Sequence, residues 1–129
     1  MVRITKDQLD ALNAGDKTPK VRKSRPRQKP GEMNGTERRY ALLLEQRKLA
    51  GEVTSYLFER IKFKLAPKTF YTPDFYVVTP ECIEIHEVKG HWEDDARVKI
   101  KVAAEMFPEF KWLAVQWKNK TVGWVFEEF

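Results

Sequence analysis

Cysteine is almost absent from this chain, with Cys82 alone among 129 residues. An internal disulfide is therefore excluded, and with only His86 and His91 beside it no structural Cys/His zinc site can be assembled. Long apolar runs are lacking too. They reach only a few residues, whereas a membrane helix needs about 20, and the basic N-terminus carries no apolar segment of the signal-peptide kind. The expectation is a cytoplasmic protein with a reduced thiol and no membrane partner. What is present suffices for one packed core: 42% hydrophobic and 12% aromatic residues in a chain of single-domain length.

Two further absences divide the chain. None of the sixteen aromatic residues precedes Tyr40, and the stretch 17–29 contains seven cations and no anion. Residues 1–30 hold nine Lys/Arg against three Asp, a net of +6, while the whole chain is +5, so residues 31–129 sum to −1. A segment this cationic, interrupted by Pro19 and Pro26, buries too little apolar surface to offset its ordering entropy. We expect residues 1–33 to form a disordered basic arm. Lys20, Arg22, Lys23, Arg25, Arg27 and Lys29 then serve either as a phosphate-binding strip for DNA or as a solubilising tail.

Residues 34–129 read as one α/β domain, a mixed β-sheet flanked by helices. Asn34-Gly35-Thr36 offers N-cap chemistry, Tyr40, Leu43, Leu44 and Arg47 recur at helical steps, and Gly51 supplies a stop. The first helix is expected over 36–50, with Glu37 in its opening turn. β-rich runs follow at 53–65, with Leu57, Ile61, Phe63 and Leu65 at even steps, then at 70–78 and 82–88, separated by Pro67 and Pro80. After Gly90, Glu93-Asp94-Asp95 favour a helix N-terminus. That second helix runs through Val98, Val102, Ala103 and Met106 to Pro108. Strands at 111–117 and 121–126, joined through Lys118-Asn119-Lys120, close the order α-β-β-β-α-β-β.

A possible site emerges from spacing. Pro73 cannot donate a ladder hydrogen bond, so Asp74 sits where a sheet is irregular. Thirteen residues on, Glu87 and Lys89 project from one strand face while Val88 turns away. A hairpin around Thr79-Pro80-Glu81 brings Asp74 and Glu87 together. Two carboxylates plus a backbone carbonyl make an oxygen-rich site suited to Mg²⁺ or Mn²⁺, and Lys89 supplies a cation for a phosphate oxygen or an attacking water. The plainer reading is a surface Glu87–Lys89 ion pair. Against it, both charges continue the parity of Ile83 and Ile85, and charges on an apolar face are costly unless used.

These residues carry a resemblance. Pro73-Asp74 … Glu87-Val88-Lys89, preceded by a helix bearing Glu37, resembles the PD-(D/E)XK nuclease motif. Tyr71-Thr72-Pro73-Asp74-Phe75 and Glu87-Val88-Lys89-Gly90-His91-Trp92-Glu93 are similar to strings of the phage endonuclease I group, which resolves four-way (Holliday) DNA junctions. Asp95, Arg97, Lys99 and Pro108-Glu109 continue the likeness. Asn34-Gly35-Thr36-Glu37-Arg38-Arg39-Tyr40 is similar to small phage and prophage proteins grouped with these nucleases. The likeness covers about 34–117. The Asp74–Glu87 interval is a few residues longer than in endonuclease I, and the arm and closing strands have no counterpart there.

The resemblance implies a restriction-endonuclease-like core and a homodimeric Mg²⁺-dependent endodeoxyribonuclease, with Mn²⁺ substituting, acting on branched or four-way DNA and leaving 5′-phosphate and 3′-hydroxyl ends. For a phage-encoded protein the compartment is the host cytoplasm. Asp74, Glu87 and the Val88 carbonyl would hold metal, Glu37 a second metal or its waters, and Lys89 would orient the water. A less selective nuclease acting on mismatches, flaps or nicks, and a non-catalytic nucleic-acid-binding module, are the alternatives. Among the remaining side chains, Arg97 and Lys99 are placed equally on DNA backbone or on a solvated face. His86 and His91 read as strand-face or loop histidines, Glu45 and Glu84 as surface charges, and Cys82 as a small buried hydrophobe. Trp92 reads as packing over the second helix or stacking on DNA, and Trp112, Trp117 and Trp124 as core or dimer contact.

Overall fold

Among the described residues, Asn34 opens the first helix, α1 (Gly35–Leu49). Its side chain accepts the Glu37 amide at 2.8 Å while the Glu37 carboxylate accepts the Asn34 amide at 3.2 Å. This reciprocal capping box satisfies two donors that a helix start leaves unpaired. At the far end Gly51 takes the left-handed conformation, φ 82°. The amides of Glu52 and Gly51 then bond back to the carbonyls of Arg47 and Lys48 at 2.9 and 3.1 Å, a Schellman stop. The computed structural model describes residues 31–91 and 94–129. The arm expected over 1–33 therefore lies outside the described residues through residue 30, with Lys20, Arg22, Lys23, Arg25, Arg27 and Lys29, and so do Trp92 and Glu93.

The strands are β1 (Ser55–Phe58), β2 (Phe63–Ala66), β3 (Thr69–Tyr71), β4 (Phe75–Val78) and β5 (Ile83–Lys89). Helix α2 (Asp94–Met106) follows, then β6 (Lys111–Asn119) and β7 (Gly123–Glu128). Five strands form one mixed sheet in the order β1-β4-β5-β6-β7. Its β5 and β6 are parallel, connected through α2, and its other neighbours are antiparallel. Among the described residues, strands β2 and β3 pair only with each other. The class of this described part is α/β, a mixed five-stranded sheet with two helices.

The expected order α-β-β-β-α-β-β needs correction, because five strands rather than three lie between the helices. The 53–65 run breaks at Glu59, whose φ is 50° and whose amide donates to the Asp74 carbonyl at 2.8 Å. The 70–78 run breaks across residues 72–74, around Pro73. Even-step hydrophobicity continues through both breaks, so periodicity joined strands that belong to different sheets. Leu57 shows the consequence: it is exposed, while Phe63 in the same run is buried.

Apolar side chains pack on both sheet faces. Tyr40, Leu44, Val53, Phe75, Val77, Val88 and Val115 cluster beneath α1. Phe63, Tyr71, Ile85, Ile100, Ala103, Trp112 and Ala114 form the second cluster, bringing the β2–β3 hairpin and α2 onto the other face. Trp112 is core, as expected, and its indole N–H donates to the Phe107 carbonyl at 2.9 Å. Trp117 and Trp124 are half-buried and meet edge to face at 5.3 Å. Cys82 corrects the expectation of burial: it is exposed in the β4–β5 turn, where the Thr79 hydroxyl donates to its carbonyl. No helix among the described residues is long and apolar enough to cross a membrane.

Candidate functional site

The β4–β5 ladder ends with Phe75 opposite His86, so Asp74 and Glu87 are the next facing pair. There the backbone pairing gives way to side chains. Asp74 Oδ2 accepts the Val88 amide at 2.8 Å, and Glu87 Oε2 accepts the Asp74 amide at 3.1 Å. Each carboxylate thus bonds the opposite strand's backbone and carries the pairing one step past Pro73. The Tyr71 hydroxyl, arriving from β3, donates to the same Glu87 oxygen at 2.9 Å. Lys89 Nζ lies 3.3 Å from Glu87 Oε1. The expected convergence of Asp74, Glu87 and Lys89 is met, and Val88 enters the site through its amide.

Glu37 approaches from the start of α1, beside the end of β5, where Gly90 neighbours Thr36. It is buried, with one oxygen turned to the Asn34 amide. Its charge nevertheless reaches Asp74, Glu87 and Lys89. The carboxyl is held above its ordinary value, chiefly by burial, with Glu59 and Glu87 adding to the shift. The capping box thus gives Glu37 a structural duty apart from any role at the acidic pair.

Electrostatically the pair is crowded. Burial and then the neighbouring Glu87 push the Asp74 carboxyl up from 3.8 to about 8, against the Val88 amide, which favours its ionised form. Burial likewise raises Glu87, with Lys89 and Tyr71 opposing. Burial by itself lowers the Lys89 ammonium, but the Glu87 and Asp74 carboxylates outweigh it and the net shift is upward. Tyr71 is pushed far up by burial and by Glu87, so its hydroxyl stays a donor. Buried carboxylates that share one ammonium hold too little positive charge, and an all-oxygen donor set of this kind suits a hard divalent cation. Among the described residues, however, no three His, Cys, Asp or Glu side chains come together as a metal-holding group. The acidic pair converges, whereas Glu37 is coupled to it through space.

A cleft of about 390 Å³ opens beside the pair, lined by Phe70, Tyr71, Thr72, Glu87, Lys89 and, from α2, Asp95, Ala96 and Lys99. The two expected DNA contacts on α2 therefore part company. Lys99 faces the cleft, whereas the Arg97 guanidinium pairs with Glu127 on β7 and lies 5.8 Å from the Phe129 ring. His91 is exposed.

Some polar groups escaped sequence reasoning. Tyr71 could have been found from its place three residues before Asp74; only the break after β3 aims it at Glu87. Glu84 corrects its expectation as a surface charge, and His86, the strand-face histidine expected, is fully enclosed there: both are buried on the α1 face. His86 Nε2 lies 2.8 Å from Glu84 Oε1, and its Nδ1 lies 2.6 Å from the Tyr40 hydroxyl. Burial lowers the imidazole and its hydrogen bond lowers Glu84. The neutral ring therefore donates from Nε2 to the carboxylate and accepts the Tyr40 proton at Nδ1. Glu45, expected on the surface, is half-buried and accepts the Tyr56 hydroxyl at 2.6 Å. Compared with protein-family models, curated proteins and solved structures, the chain matches none of them.

Proposed function

We propose that the protein is a metal-dependent DNA endonuclease of the PD-(D/E)XK kind, acting on branched DNA and most naturally on four-way junctions. The observation that carries this reading is the facing pair Asp74 and Glu87, clamped by each other's backbone amides, with Lys89 Nζ 3.3 Å from Glu87 at the mouth of a cleft. The crowding of acidic charge fits a divalent cation. Asp74, Glu87 and the Val88 carbonyl would hold Mg²⁺ or Mn²⁺, with Glu37 assisting from α1. When bound, such an ion supplies Lewis-acid stabilisation of phosphate oxygens and acidifies water. The chain itself does the positioning. Tyr71 and the Asp74 amide fix the orientation of Glu87, and Lys89 presents an ammonium to a phosphate oxygen or to the attacking water. Symmetric cutting of a junction calls for two sites related by a two-fold axis, hence a homodimer.

The test is a gel assay on a four-way junction and its matching duplex, with and without Mg²⁺, for wild type and Asp74→Asn. The expected result is Mg²⁺-dependent nicking of the junction that Asp74→Asn abolishes. Cutting at full rate by Glu87→Ala and Lys89→Ala overturns it. One observation favours a second reading, a non-catalytic nucleic-acid-binding module: both Glu87 oxygens already have protein donors, so the cluster is hydrogen-bonded without a cation. Binding without turnover in Mg²⁺ and Mn²⁺ would establish that alternative.

A further inference from the structure

The β2–β3 hairpin stands apart from the main sheet, and its charge is unlike that of the body. Residues 60–71 hold Arg60, Lys62, Lys64 and Lys68 with no carboxylate, while residues 31–129 together sum to −1. Its two faces have different duties. Phe63 and Tyr71, paired across the ladder, point into the core, whereas the next pair, Lys64 and Phe70, faces solvent. Phe70 is 45% exposed, lines the same cleft as Glu87 and Lys89, and carries Lys62 Nζ 4.5 Å from its ring centre.

An exposed aromatic ring costs solvation and adds nothing to this core. Beside a row of cations it has the composition of a stacking platform for nucleic acid, in which the ring takes a base and the ammonium groups take the phosphates. Fully paired duplex offers no free base face to such a ring. We infer that Phe70, flanked by Lys62 and Lys64, stacks an unpaired nucleotide at the rim of the cleft and so selects DNA with unpaired or splayed bases. This inference rests on nucleic acid being the substrate, and it adds to that reading the feature of the strand that is recognised.

The test uses the full chain in EDTA, where no cleavage can occur. Binding of a labelled oligothymidine is compared with that of an equally long abasic strand by fluorescence anisotropy. Phosphate contacts, including any made by residues 1–30, are common to both strands and cancel in the ratio. Wild type is expected to prefer the base-bearing strand by about fivefold or more. Phe70→Ala should bring the ratio to about one, and Phe70→Trp should restore it. Lys62→Ala should weaken both strands. A wild type that binds the two strands equally, or a Phe70→Ala protein that keeps the preference, overturns the inference. Junction cleavage in Mg²⁺, assayed alongside, separates the two ideas. Cleavage without base preference removes the platform alone. A preference lost in Phe70→Ala without any cleavage supports the platform and removes the nuclease.

Discussion

Replacing Asp74 with Asn should make the metal-free protein more stable. In the folded chain this carboxyl is pushed up to about 8 by burial and by Glu87, against 3.8 ordinarily. The folded state therefore binds a proton that the unfolded chain has released across that window. The resulting stabilisation is complete below 3.8 and is lost as pH rises through about 8, so stability falls with rising pH. At about 1.4 kcal/mol per pH unit, the interval from 3.8 to 7 sets a ceiling of about 4 kcal/mol on what ionisable Asp74 costs the fold at neutral pH. Glu87 shares the same relieving proton, which lowers the share belonging to Asp74, and we expect a gain of about 1–3 kcal/mol for Asp74→Asn at pH 7. The amide keeps an acceptor for the Val88 N–H, so no hydrogen bond to the backbone is forfeited.

The assay is urea unfolding in EDTA at pH 5, 7 and 8.5. Wild type should lose stability along that series, while the variant stays nearly flat, and the gap should widen with pH. Added Mg²⁺ should raise the wild-type midpoint and leave the variant unmoved, because a ligand stabilises only the state that binds it. An Asp74→Asn protein less stable than wild type at pH 7 without metal would falsify the reasoning, since it would make the acidic pair a structural asset rather than a strained site.

Other perturbations address separate parts of the molecule. Asn34→Ala removes one half of the capping box and should cost about 1 kcal/mol in thermal or urea unfolding; no loss would show that α1 is held by packing alone. Tyr40→Phe strips the donor from buried His86 Nδ1 and should cost about 1–3 kcal/mol, with junction cleavage by the surviving folded protein unchanged. Deleting residues 1–30, which carry a net +6, should weaken DNA binding and flatten its dependence on salt. An unaltered salt slope would make the segment a tail.

Much of the site was legible because its signals are local. Pro73 announces an irregular strand, and the parity of Glu87 and Lys89 follows from the strand repeat. The N-cap chemistry of Asn34-Gly35-Thr36 likewise announces a helix start, which α1 bears out within a residue. What stayed hidden depended on tertiary geometry. Glu84 looks like a surface charge beside a strand-face histidine, and only the descent of Tyr40 from α1 onto that face gives Glu84 and His86 a buried hydrogen-bonded chain. Arg97 and Lys99 look alike in sequence, but their two-residue separation on α2 points one to Glu127 and the other to the cleft. Cys82 fits a strand pattern but falls one residue short of β5 and into the turn.

The strand breaks that periodicity passed over are also what the proposed chemistry depends on. Had residues 70–78 formed one uninterrupted strand, the Asp74 amide would be committed to a backbone ladder, and Tyr71 would stay with β4 instead of pairing with Phe63. Interrupting the run at residues 72–74 frees that amide to hold Glu87. The Tyr71 hydroxyl is brought to the same oxygen, and β3, peeled away to pair with β2, lines the cleft through Phe70 and Tyr71. The Glu59–Asp74 backbone bond then ties the two breaks together, so each strand interruption supports the other. Pro73 imposes the irregularity on one run and the left-handed Glu59 accepts it on the other. A substitution that regularised either break should therefore disturb the orientation of Glu87 before it disturbs the sheet.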